Sequence, residues 1–194
     1  MAEKPLFVLV FLLTSMTLSS GILKNRLPLK RKLDIRKFVG TSQPIWTYTT
    51  TTTRKNLFCK VDEMRSLTHG SIFFIRTYFR LPDRVPVSKG YEGLFPRDQA
   101  NFMQLRKSAF HSPVFYAKER LLYYNQEYRC AVMRVEPAVH GYPPYYELRI
   151  WNSTVIRGPR TICTTRFLKY GDPGRDIYGP QCQRLLHEYQ YKEG

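Results

Sequence analysis

The stretch that decides the fold is VFYAKERLLYYNQEYRCAVMRVE, residues 114–136. Its two arms, Val114 to Tyr124 and Tyr128 to Glu136, are rich in aromatic and β-branched residues, which favour strands. The polar triplet Asn125-Gln126-Glu127 separates them and has the length of a hairpin connection. The sequence therefore predicts an antiparallel hairpin with Cys130 in its second strand.

Similar strands are predicted on both sides of this hairpin, because aromatic and β-branched residues recur with a period of two. Residues 80–99 are instead rich in proline, glycine and charge, so we expect loops with at most short strands there. The predicted strands outside the hairpin are Ile45 to Thr53, one around Leu57 to Asp62, Ile72 to Phe79, Ala100 to Lys107 and Tyr145 to Trp151.

The pattern changes to a helix after the last strand. Cys163, Phe167 and Tyr170 recur at i, i+4 and i+7 between Pro159 and Gly171, which are typical start and stop residues. A shorter helix is predicted to begin at Pro180 and to carry Cys182, Leu185, Leu186 and Tyr189. Many antiparallel strands followed by a helix indicate an all-β barrel or sandwich, and a barrel of about eight strands can hold one small ligand.

The N-terminus has the three parts of a secretory signal peptide. Lys4 gives a basic start, a mostly apolar run extends from Leu6 to Leu18, and small residues end at Gly21. The run is shorter than the ~20 residues that span a bilayer, so we expect cleavage rather than anchoring. The sequence therefore predicts a signal peptide over residues 1–21 and a secreted protein.

The cysteines agree with an oxidising compartment. An even number in a small exported chain indicates two disulfides, and no pair has the C-x-x-C spacing of a zinc ribbon or a redox site. Sequence alone leaves more than one pairing of the four open. They are Cys59, Cys130, Cys163 and Cys182.

The chain is strongly basic, with a formal net charge of +16. Part of the excess lies in a block over residues 22–37, which predicts a solvated arm and also suits polyanionic glycans. Nucleic acid is not expected as a partner of a secreted chain. We therefore divide the sequence into the signal peptide, a basic arm over residues 22–40 and one barrel domain over residues 41–194.

In the order of its motifs the chain resembles the tick salivary lipocalins, the family that includes the histamine-binding proteins. The likeness covers most of the mature chain. It rests on Asp34-Ile35-Arg36-Lys37-Phe38-Val39 before Ile45-Trp46, the Leu57 to Met64 stretch, Tyr128 to Val135, Tyr146 to Ile150, and Cys163 to Phe167 followed by Cys182.

The resemblance implies an eight-stranded antiparallel lipocalin barrel with a C-terminal α-helix packed outside. It also implies the disulfides Cys59–Cys182 and Cys130–Cys163. It further implies a monomer in saliva that sequesters a small inflammatory mediator of the host during blood feeding, with histamine or serotonin as the family's usual ligand.

Two ligand classes lead to different site residues. A protonated amine needs a buried carboxylate beside aromatic faces, and Glu147 is the candidate acid. An eicosanoid or fatty acid needs an apolar wall and a cation, for which Arg76 is the candidate because arginine pairs bidentately with carboxylates. The candidate aromatic walls are Trp46, Tyr48, Phe74 and Tyr78.

Other activities are less well supported by the sequence. The histidines are scattered, and H-E-x-x-H, G-x-S-x-G and phosphate-loop motifs do not occur. We therefore expect no enzyme, metal or cofactor. A surface-mediated inhibitor of a host protein, or a glycan binder, remains an alternative because of the basic arm. Asn152-Ser153-Thr154 is a predicted glycosylation site at a strand end.

Overall fold

The computed structural model describes residues 32–107 and 114–186. The predicted signal peptide, residues 22–31 of the arm and Tyr189 of the last predicted helix lie outside these ranges. The strands are β1 (Ile45–Thr50), β2 (Leu57–Leu67), β3 (Ser71–Arg80), β4 (Val85–Leu94), β5 (Phe102–Lys107), β6 (Phe115–Asn125), β7 (Cys130–Pro137), β8 (Tyr145–Trp151) and β9 (Arg175–Asp176).

Strands β1 to β8 form a closed antiparallel barrel in sequence order. Closure occurs at β1, which pairs with β8 through Trp46 and Ile150 and with β2 through Trp46 and Val61. The short β9 adds to β1 through Thr49 and Thr50. The ladder thus closes on itself, and the predicted eight-stranded antiparallel barrel is confirmed.

Strand β4 lies where loops were predicted, so that prediction was wrong. Pro86 and the glycines of this segment favoured loops, because proline has no backbone N–H to donate to a neighbouring strand. The described ladder between β4 and β5 covers Tyr91 to Leu94, and Pro86 pairs with Phe79 of β3. Gly93 lies in a tightly packed place, because an added Cβ would lie 3.0 Å from Ile72 and from Met103 and would require these side chains to shift.

One end of the barrel is closed by α1 (Arg36–Val39) and the residue before it. Ile35 and Phe38 are fully buried, while the cationic side chains of α1 face outward. The Trp151 indole donates a 3.1 Å hydrogen bond to the Phe38 carbonyl, and the two rings lie 6.3 Å apart. Residues 33–39 therefore pack with the barrel core, and the division of the chain at residue 41 stays a prediction.

The C-terminal segment covers the outside of the barrel wall. After the short α2 (Asn152–Val155), α3 (Thr161–Phe167) packs against β7 and β8 with Cys163 and Phe167 buried. A 3₁₀ turn over Leu168–Tyr170 continues it. A second 3₁₀ turn, Pro180–Gln183, begins the segment where a shorter helix was predicted, and residues 184–186 after it are helical. The predicted helix outside the barrel is thus present as α3.

Both disulfides fasten this outer layer to the wall. Cys59 of β2 is joined to Cys182, and Cys130 of β7 is joined to Cys163 of α3, the pairing that the resemblance implies. No helix among the described residues has both the length and the apolar character needed to cross a membrane.

A tyrosine-lined cavity above a buried ion cluster

A cavity of about 360 Å³ occupies the end of the barrel opposite α1. Its walls come from the connection between β1 and β2, the nearby ends of β2 and β3, and residues of β4, β6, β8 and the segment before β8. Tyrosines and cations dominate the lining: Thr52, Arg54, Asn56, Leu57, Lys60, Arg76, Tyr78, Arg80, Tyr91, Tyr116, Tyr142 and Tyr145.

Six charged side chains converge beneath the cavity, and we call them the ion cluster. All are buried, although the strands that carry them alternate with apolar residues. On β2 and β8 those apolar neighbours face outward and are covered by the C-terminal segment, so the polar face of these two strands is left for the interior. The members are Lys60 and Asp62 of β2, Arg76 of β3, Glu119 of β6, and Glu147 and Arg149 of β8.

Glu147 is a fully buried carboxylate of the cluster. The Lys60 ammonium donates to its Oε1 at 2.6 Å and to its Oε2 at 2.9 Å. The Arg149 Nε donates to Oε2 at 2.7 Å. Both oxygens of Glu147 are therefore occupied by cations of the protein itself.

The other members form a bidentate chain across the barrel. Arg76 donates to the two oxygens of Asp62 at 2.6 and 2.7 Å and reaches Glu119 at 2.9 Å. Arg149 in turn donates to both oxygens of Glu119 at 2.6 and 2.8 Å. Bidentate arginine–carboxylate pairs fix the orientation of both side chains. This series of ion pairs therefore holds the side chains of the barrel interior in one arrangement.

The cluster balances its charges. Three cations face three carboxylates, and no fully enclosed side-chain nitrogen or oxygen of these six residues lacks a hydrogen-bond partner. Such balance is required because an unpaired charge in a dry interior costs several kcal/mol. The charges of the cluster are therefore balanced without a ligand ion.

Burial and neighbouring charges shift the pKa of several groups. Burial alone would raise the pKa of Glu147, but Lys60 and Arg149 outweigh it and lower the pKa below its ordinary value. Burial, reinforced by Arg76 and Arg149, lowers the pKa of Lys60 to about 8. Burial raises the pKa of Tyr91 and of Tyr145, so both are neutral phenols at physiological pH.

The cavity is electropositive. Arg54 and Arg80 are exposed at its mouth, and Lys60 and Arg76 form its floor, whereas no carboxylate is among the residues that line it. The Arg54 guanidinium lies 4.6 Å from the centroid of the Tyr142 ring, which holds it at the rim. An anion entering here meets cations and phenolic hydroxyls.

The structure brings four of the six predicted ligand residues to this region. Arg76 and Tyr78 line the cavity, Glu147 lies in the ion cluster below it, and Phe74 lies beneath with its ring stacked on Tyr91 at 5.8 Å. The expected tunnel of apolar walls is replaced on this side by tyrosines.

Trp46 and Tyr48 lie elsewhere, on the outside of β1. The Trp46 ring contacts Tyr178 at 5.2 Å, and its indole donates to the Asn152 side chain at 2.8 Å. Tyr48 lies 5.6 Å from the same Tyr178 ring. They were expected in the pocket because they share one face of the strand, but that face is buried by the C-terminal segment, and Thr47 points inward instead.

Sequence reasoning missed Lys60, Asp62, Glu119 and the tyrosines of β4, β6 and β8. Lys60 and Asp62 alternate with Cys59 and Val61, a pattern typical of a half-buried strand whose polar residues face water. A pattern common to β2 and β8 could have indicated the inward face. Each strand has a cation and an acid two residues apart, with strongly apolar residues beside them. Two complementary pairs of this kind fit together inside a barrel.

Asn152 begins α2 directly after β8. Its side-chain oxygen accepts hydrogen bonds from Trp46 and, at 2.9 Å, from Gln183, and the residue is half-buried. Its glycosylation stays a prediction.

Solved structures with the same architecture were found. Japanin from Rhipicephalus appendiculatus, bound to cholesterol, has a TM-score of 0.55 and 10% identity, over 73% of this chain and 96% of that one. The AM182 serotonin complex has a TM-score of 0.55 and 18% identity, over 78% of this chain and 93% of that one. Apocrustacyanin C1 has a TM-score of 0.50 and 11% identity, over 76% and 83%.

The closed barrel and these likenesses define the class, and the chain has the lipocalin fold. At such identities the similarity concerns the fold alone. No protein-family model matches the chain, and no curated protein matches it.

Proposed function

We propose that this protein is a secreted lipocalin of the tick salivary type that captures a small host mediator during blood feeding. Its ligand is a compact amphiphile with a carboxylate or similar anion, such as an eicosanoid. The mechanism is stoichiometric, since capture in the barrel lowers the concentration of free ligand. The single observation that carries the choice of ligand is a cavity lined by cations and tyrosines without a carboxylate.

The cations at the mouth are the ones available to a ligand. Arg76 and Lys60 on the floor already pair with Asp62 and Glu147, whereas Arg54 and Arg80 have no carboxylate partner among the described residues. Pairing of either arginine with an incoming carboxylate therefore breaks no bond of the ion cluster. The tyrosine rings supply contact area for the apolar body, and their hydroxyls can donate to polar atoms.

An amine is the weaker candidate. Glu147, the acid expected to hold it, accepts from both Lys60 and Arg149 and is not in the cavity lining. A protonated amine would have to displace the Lys60 ammonium and leave that cation buried beside two guanidinium groups. This exchange costs several kcal/mol without a compensating gain.

The size of the cavity limits the ligand. At about 360 Å³ it is near the lower end of the range of about 300–1,000 Å³ typical of small-molecule sites. The ion cluster and the packed residues beneath it close the barrel below the cavity. One small amphiphile therefore fits, and a second site in the same barrel has no space.

Isothermal titration of refolded protein with leukotriene B4, serotonin and histamine tests the proposal. We expect saturable one-to-one binding of leukotriene B4 only. The double variant Arg54→Gln/Arg80→Gln should weaken it at least about tenfold, whereas the control Arg157→Gln, which removes an exposed arginine outside the cavity lining, should not. Tighter binding of either amine, or no saturable binding at all, would overturn the choice of ligand.

A further inference from the structure

Lys60 is a primary amine on the floor of the cavity. Its ammonium has three N–H donors, and its hydrogen-bond partner among the described residues is the Glu147 carboxylate alone. The side chain is almost fully buried yet lines the cavity, so a molecule inside reaches it while bulk solvent does not. Capture of an anion at the cavity mouth leaves this amine unused.

We propose that Lys60 captures small aldehydes covalently, as an imine formed inside the barrel. The proposal uses the cavity of the proposed function but not its anionic ligand. The chemical class is a compact aldehyde, aromatic or unsaturated, whose body packs on the tyrosines and whose carbonyl carbon reaches Nζ of Lys60.

The reaction balances without a further reagent. The neutral amine of Lys60 forms a bond to the carbonyl carbon as the C=O π pair moves to oxygen, and a proton transfer from nitrogen to that oxygen gives the carbinolamine. Loss of water then forms the C=N bond. Overall, the aldehyde and the ammonium give a protonated imine and one water, so the positive charge stays on the same nitrogen.

Glu147 is placed to carry the protons. Its two oxygens lie 2.6 and 2.9 Å from Nζ, so it can take the proton that the ammonium must lose and return one to the departing oxygen. It then remains as the counter-ion of the protonated imine. The charge balance of the ion cluster is thus the same before and after capture.

The surroundings of Lys60 favour the neutral amine that must attack. Arg76 of β3 and Arg149 of β8 disfavour its charge, whereas Asp62 of β2 and Glu147 of β8 favour it, and burial decides the outcome. With its pKa lowered to about 8, a substantial fraction is neutral at pH 7.5. An exposed lysine with an ordinary pKa is neutral on the order of 100-fold less often.

The test is trapping with 4-carboxybenzaldehyde and sodium cyanoborohydride at pH 7.5, followed by mass spectrometry of the intact protein and of its peptides. We expect one adduct, heavier than the protein by the mass of the aldehyde less one oxygen, on the peptide that contains Lys60. Lys60→Arg should lose it, because arginine keeps the cation and forms no imine. The control Lys118→Arg, which changes an exposed lysine of β6, should keep it.

Labelling spread over exposed lysines, or an unchanged adduct in Lys60→Arg, would overturn the proposal. Peptide mapping of the wild-type protein decides the site even if the variant folds poorly. Titration of leukotriene B4 measures the proposed function separately, because a carboxylate forms no imine. Failure of trapping with intact leukotriene binding, or the reverse, therefore tells the two proposals apart.

Discussion

The Lys60 ammonium and the Glu147 carboxylate are 2.6 Å apart inside the barrel, although their strands do not pair with each other. Strand β1 lies between β2 and β8, and its inward-facing residue at this level is Thr47, whose hydroxyl is 3.5 Å from Glu147. A small side chain on β1 thus lets two long ones meet across it. The pair therefore ties together three strands at the point where the barrel closes.

Removing the acid of this pair should be costly. Glu147→Gln leaves Lys60 and Arg149 without their shared carboxylate in a dry interior, so we expect the free energy of unfolding to fall by about 3–5 kcal/mol. Urea denaturation at pH 7 measures it. The matched control is Glu136→Gln, which removes the carboxylate partner of Arg134 at the surface and should cost less than about 1 kcal/mol. Equal effects of the two changes would contradict a buried, charge-balanced cluster.

Stability should rise with pH between about 8 and 10 because of Lys60. Its pKa is about 8 in the folded protein and 10.5 when unperturbed, so the unfolded chain binds more protons in this interval. The free energy of unfolding then increases with pH, by at most about 1.4 kcal/mol per pH unit for one group. Above about pH 10 the raised pKa values of Tyr91 and Tyr145 act in the opposite direction.

Chemical denaturation at pH 7, 8, 9 and 10 tests this dependence as a difference between proteins. The rise should be present in the wild type and absent in Lys60→Met, whereas Lys118→Met should keep it. A wild-type curve parallel to that of Lys60→Met would show that Lys60 has an ordinary affinity for protons.

Glycosylation at Asn152 can be tested without disturbing its hydrogen bonds. Thr154→Ala removes the acceptor signal and leaves the Asn152 oxygen free to accept from Trp46 and Gln183. In protein secreted from eukaryotic cells we expect this variant to lose the mass of one glycan, as measured by intact-mass spectrometry. Ser153→Ala keeps the signal and should keep the glycan, and identical masses before and after glycosidase treatment of the wild type would refute the prediction.

A deletion can test whether the basic arm binds polyanionic glycans. Deleting residues 22–37 would remove Ile35 and half of α1, which close one end of the barrel. Deleting 22–31 instead removes Lys24, Arg26, Lys30 and Arg31 and spares that end. We expect this shorter deletion to abolish retention on heparin at physiological salt while leaving leukotriene titration unchanged, because screened surface charges act only at short range. Full retention after the deletion would exclude the arm as the glycan site.

The fold was predictable because its signals are local. The hairpin around Asn125 to Glu127, the strands on either side and the helix with Cys163 and Phe167 each follow from periodicity and turn residues. Strand β4 was not predictable in this way, because Pro86, Gly90 and Gly93 have low strand propensity. Its pairing with β3 along its whole length is a property of the assembled sheet and leaves no local pattern.

The site was predicted less well, because alternation tells which residues share a face but not which face is inside. In β8, Glu147 and Arg149 point inward while Leu148 and Ile150 lie under the C-terminal segment. Both faces of such a strand are buried, one by the ion cluster and one by an outer apolar layer. Trp46 and Tyr48 were misplaced for the same reason, since an outer layer can bury aromatic side chains as fully as a barrel interior does.

The rigid floor beneath the cavity has a consequence for how this barrel can change its ligand. Each charged side chain of the floor is paired with one of opposite charge, so a single substitution there leaves an unpaired charge in the interior. The rim residues Arg54, Arg80 and Tyr142 are not members of the ion cluster. Substitutions at the rim can therefore change the ligand specificity while the ion cluster and the core beneath it stay the same.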